Sequence, residues 1–208
     1  MTINWPVFIP ALILLLTPIG IFHGRKVRYR SLRSDWDRHW PQIFSLGLHA
    51  IDLTRAALGG WLLINVLKAA AGPATHWWQP VVLQWSVILI AVILQVRICK
   101  EERALNAPFA YFVGLVFGLY PPQIAGFPLL LATVAAAGSR TPAAFFPVLS
   151  VLLVGLGALF SDLKISYNLI YGAVVILLPW LWSLLFSRTL VITYRAKSTA
   201  DTTSPLKS

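Results

Sequence analysis

Residues 43–70 read IFSLGLHAIDLTRAALGGWLLINVLKAA. As a helix this run would be about 42 Å long, more than the roughly 30 Å hydrocarbon core of a bilayer. Within it His49, Asp52 and Arg55 recur at three-residue steps. At about 100° per residue they spread over roughly 120° and share one face. Asp52 and Arg55 are close enough to pair, which offsets much of the cost of burying either charge alone. A charge at mid-bilayer costs about 2.5–3.5 kcal/mol on insertion scales, so an intramembrane ion points to function. A proton relay through His49, a counter-ion for a substrate or a charge pair to a partner helix would each account for the cluster. The opposing reading is structural. If the hydrocarbon core begins near Leu53, His49 and Asp52 lie in the interface and Arg55 reaches out to it along its methylenes.

The rest of the chain resembles this stretch. Of 208 residues, 58% are hydrophobic and only 12% charged, where a soluble domain carries about a quarter charged residues. A water-soluble globule and a disordered chain are both excluded. Apolar runs at 5–22, 43–70, 80–98, 105–120, 123–138, 143–160 and 168–187 predict an all-α polytopic membrane protein with about seven transmembrane helices. The fourth and fifth are short and joined by Pro121-Pro122, so they cross as a tight hairpin or dip in and return as a re-entrant pair. Residues 1–195 form one helical domain in this reading, and the polar tail 196–208 is disordered. The first run has nothing basic before it and no small-residue cleavage site after it, which predicts a retained helix rather than a cleaved signal.

Lys and Arg set the orientation. The loop at 23–42 holds Arg25, Lys26, Arg28, Arg30, Arg33 and Arg38, and with the other connections on that side it raises the count to fourteen basic residues. The opposite face has Lys68 and Lys164. The N-terminus is expected outside and the C-terminus inside. Within the basic loop, Leu32, Trp36 and Trp40 recur every four residues, which predicts a short helix lying flat on the inner leaflet. The clustered Arg side chains suit anionic lipid headgroups or a lipid-linked phosphate. Trp36 and Trp40 would anchor the inner boundary; Trp77 and Trp78, with Trp5 and Trp85, would anchor the outer one. Gly114 and Gly118 form a small-xxx-small pair for close helix packing. Gln84 and Gln95 lie eleven residues apart, on one face, as interhelical hydrogen-bonding groups.

No HExxH, GxSxG, P-loop, GxGxxG or CxxC is present. The run Asp52-Leu-Thr-Arg55 lacks the glycine after the aspartate and the downstream aspartates of the CDP-alcohol phosphotransferase motif, so that family is set aside. Seven carboxylates and one cysteine, Cys99, argue against a metal centre and exclude an intrachain disulfide. Only His49 is placed to ligate a haem, so no cofactor is expected. Nucleic acid is a poor partner for a single membrane-bound basic loop. Three readings remain. The first is a non-enzymatic subunit or scaffold that packs against partner membrane proteins or its own copies. The second is a small transporter or channel using the His49/Asp52/Arg55 face and the Pro-interrupted hairpin, and the third is a lipid-modifying enzyme at the inner leaflet. A cysteine-poor, Arg-biased chain suits a bacterial inner membrane.

Overall fold

The computed structural model describes residues 2–18, 29–31, 47–72, 75–99, 104–139, 141–161, 166–191 and 193–195. Among them are seven α-helices: α1 (Trp5–Leu16), α2 (Gly47–Ala70), α3 (Trp78–Gln95), α4 (Phe109–Leu119), α5 (Pro122–Gly138), α6 (Phe145–Phe160) and α7 (Tyr167–Leu185). Three of them, α2 from His49 onward, α3 and α7, are long and apolar enough to cross a membrane. The other four are apolar and shorter.

Several helices end earlier than hydropathy alone predicts, for local reasons. Thr17 precedes Pro18, and the proline ring drives the preceding residue out of the helical region. Thr17 accordingly sits at φ −70°, ψ 113°, and α1 stops at Leu16 instead of continuing toward Phe22. Ala107 precedes Pro108, so α4 begins at Phe109 and not at 105. The connections carry strands of three residues each: β1 (Tyr29–Ser31), β2 (Arg97–Cys99), β3 (Ala104–Asn106), β4 (Thr189–Val191) and β5 (Thr193–Arg195), of which β2 and β3 stand where the ends of predicted helices would be. The architecture is all-helical, as the composition predicts, with these short pairings confined to the connections. β1 pairs antiparallel with β5, β2 antiparallel with β3, and β3 parallel with β4.

These pairings gather one end of the bundle. They join the segment after α1 and the connection from α3 to α4 to the chain after α7, and the 3₁₀ turn Pro142–Ala144 before α6 touches β4. The opposite end holds the α2–α3, α4–α5 and α6–α7 turns, all of which border one cavity.

The central helix is α4, the first of the two short runs joined by Pro121-Pro122. Phe109, Ala110, Tyr111, Phe112, Gly114, Leu115 and Val116 are buried along it. It packs most extensively on α2, and its rings meet α6 through Phe109–Phe145 at 4.3 Å and Phe112–Phe146 at 5.2 Å. Around it, α1 lies on α2 and α3, and α5, α6 and α7 stand side by side. The α2–α4 contact depends on glycine. A Cβ on Gly114 would collide with the Leu53 carbonyl, and one on Gly118 with that of Ala57. The small-xxx-small pair is therefore filled by α2 of the same chain.

Candidate functional site

The polar cluster of α2 faces the end of α1. With twelve residues, α1 is about 18 Å long, so its last carbonyls finish inside the bundle. The final carbonyls of any helix lack intrahelical partners, and in an apolar interior each needs one. Three other helices supply them. Arg55 of α2 donates from Nη1 to the carbonyls of Leu14, at 3.0 Å, and Thr17. Gln95 of α3 donates from Nε2 to Leu15 at 3.3 Å and Thr17 at 3.2 Å. Tyr111 of α4 donates from its hydroxyl to Leu15 at 3.1 Å. A cation at a helix C-terminus also opposes the helix dipole favourably.

Asp52 balances the buried charge. Arg55 Nε donates to Asp52 Oδ1 at 2.8 Å, and Nη2 lies 2.6 Å from the same oxygen. The guanidinium also sits 5.2 Å from the centre of the Tyr111 ring, within range of a cation–π contact. Arg55 is only 8% exposed. His49 sits one turn before Asp52, half-buried. Of the three residues on the predicted face, Asp52 and Arg55 are thus brought together by an ion pair, and the guanidinium is directed at backbone.

The other end of the bundle holds a cavity of about 330 Å³, partly open to the outside. Six helix ends build it. Lys68, Gln84, Trp85, Tyr120, Ser161, Ser166 and Asn168 supply its polar groups, over walls that include Ile64, Leu67, Val81, Ile124 and Leu169. Two hydrogen bonds hold its side in place: Trp85 Nε1 donates to Asn168 Oδ1 at 3.1 Å, and the Tyr120 hydroxyl donates to the Asn168 carbonyl at 2.7 Å. Gly172 permits this arrangement, because a Cβ there would overlap the Tyr120 hydroxyl. Above it, Trp77 stacks on Tyr167 at 5.6 Å.

The remaining predicted residues divide clearly. Trp77 and Trp78 are exposed at the cavity end, whereas Trp85, expected at the boundary, is buried and hydrogen-bonded. Gln84 and Gln95 serve opposite ends of α3, one in the cavity and one at α1. Arg30 lies in β1. Arg25, Lys26, Arg28, Arg33, Arg38, Trp36 and Trp40 lie outside the described residues, as does the tail at 196–208. Among the described residues no three His, Cys, Asp or Glu side chains come together. Sequence reasoning missed Tyr111, Tyr120 and Asn168; the two tyrosines sit in apolar surroundings where a buried hydroxyl must find an acceptor.

No known protein family, no curated protein and no solved structure matches the chain.

Proposed function

We propose that this chain is a seven-span integral membrane protein of a bacterial inner (plasma) membrane, N-terminus outside and C-terminus inside. In this reading it works non-enzymatically, as a helical subunit or scaffold that packs against a partner protein in the bilayer. The seven-span reading draws support from the alternation of helix ends. The Tyr120–Pro121 turn borders the same cavity as Lys68 and Ser166, which favours a hairpin that crosses fully over one that dips and returns. The basic loop at 23–42 would contact anionic lipid headgroups of the inner leaflet.

One observation carries the subunit reading. The outward face of α2 bears Ile51, Leu58 and Trp61, each more than half exposed, and among them Asn65, also exposed. Asn65 lies five residues before Ala70, about 7.5 Å inside the helix end. Its Nδ2 donates to the Trp61 carbonyl at 2.7 Å, and an amide has further donor and acceptor capacity. Toward hydrocarbon that capacity is lost; a neighbouring helix supplies it, and Asn is a recurrent hydrogen-bonding group between membrane helices. The His49/Asp52/Arg55 face offers less to a transporter reading, since Arg55 is committed to the end of α1.

The test is native mass spectrometry of the chain extracted from its own membrane in minimal detergent. A membrane-protein partner or a second copy in fixed stoichiometry is expected, with the complex depleted by about fivefold for Asn65→Leu, as the loss of about 1 kcal/mol implies. A wild-type chain that flies alone would overturn the proposal.

A further inference from the structure

We infer that the cavity at the Lys68 end binds the headgroup of an anionic membrane lipid drawn from the leaflet on that side. The inference rests on the membrane reading above but not on the existence of a protein partner. At about 330 Å³ the cavity is at the lower end of small-ligand sites, roughly 300–1,000 Å³. That admits a headgroup and the start of its chains. The chemistry of the wall is graded in the same sense. Lys68, Ser161 and Ser166 lie within two residues of helix ends, and Ile64, one turn further in along α2, joins Ile124 and Leu169 in the apolar wall. A molecule with an anion at one end and hydrocarbon behind it meets both.

Charge selects the sign. Lys68 is exposed, and among the described residues no carboxylate lines the cavity or pairs with it. A free phosphate would gain one cation while facing apolar walls on its other sides; a lipid brings its own apolar part to them. The side of the site is fixed in advance by the Trp85–Asn168–Tyr120 hydrogen bonds, so little ordering cost remains for the ligand to meet.

The purified full chain, in a neutral detergent, is photolabelled with short-chain phosphatidylglycerol or phosphatidylcholine carrying a diazirine beside the glycerol, and the labelled peptides are mapped. Phosphatidylglycerol should label peptides covering 64–71 and 80–85 in preference to phosphatidylcholine. The preference should fall by about fivefold for Lys68→Gln, as the loss of one partly exposed charge contact implies, and survive in Lys68→Arg. Ala71→Trp, a substitution at an exposed lining residue, should block both lipids. Labelling of the basic 23–42 loop should be unchanged in all three variants, which separates that surface from the cavity. Equal labelling by the two lipids, an unchanged preference in Lys68→Gln, or full competition by excess glycerol phosphate would overturn the assignment, the last by showing a free-phosphate site. None of these outcomes depends on whether a protein partner exists.

Discussion

Replacing Arg55 by methionine would remove the guanidinium from the Asp52 carboxylate and leave the Leu14 and Thr17 carbonyls without a donor from α2. Breaking a buried ion pair by removing one member costs about 3–5 kcal/mol, so Arg55→Met should destabilise the protein by that order in unfolding titrations. Arg55→Lys keeps the charge but not the forked geometry and should lose less. The double variant Arg55→Met/Asp52→Leu should recover part of the loss, since the carboxylate that lost the guanidinium is removed with it. A double variant no more stable than Arg55→Met would show that the carbonyl contacts, not the ion pair, dominate. That two of these residues pair was readable from the three-residue spacing of Asp52 and Arg55. What the guanidinium serves was not, because its acceptors are backbone atoms about forty positions away, in a helix that hydropathy extends past its real end.

Helix α4 makes the same point one level up. The four-residue spacing of Gly114 and Gly118 marks a face made for close approach, but spacing cannot name the occupant, and here it is α2. Gly114→Ala and Gly118→Ala should each destabilise strongly, because the new methyl meets backbone that side-chain rotation cannot move. Gly126→Ala and Gly155→Ala meet nothing within 4 Å. Both should be neutral or gain about 0.5–1 kcal/mol from helix propensity. The contrast is measured by thermal unfolding of the four variants in one detergent; equal losses at all four positions would count against the α2–α4 contact. The short strands were beyond sequence reading for a different reason. Three residues are too few for a period-two pattern, and their pairing follows from which helix ends the bundle brings together.

For the molecule as a whole, the apolar runs were enough to foresee the seven helices found among the described residues, because apolar helices announce themselves in composition. The cavity was not legible. Its lining is drawn from positions 64 to 169, and its polar members are one or two residues from each of five helices. The two ends of the bundle carry the account: a strand-paired end holding the basic connections, and a cavity end holding Lys68. The most direct test is labelling with a membrane-impermeant maleimide in intact cells, using native Cys99, the only thiol, and single cysteines placed by Ala71→Cys and Ser139→Cys in a Cys99→Ser background. The account predicts that Ala71→Cys labels from outside, while Cys99 and Ser139→Cys label only after the membrane is opened. Labelling of Ala71→Cys and Ser139→Cys from the same side would contradict it, since the three helices between them would then make an even number of crossings.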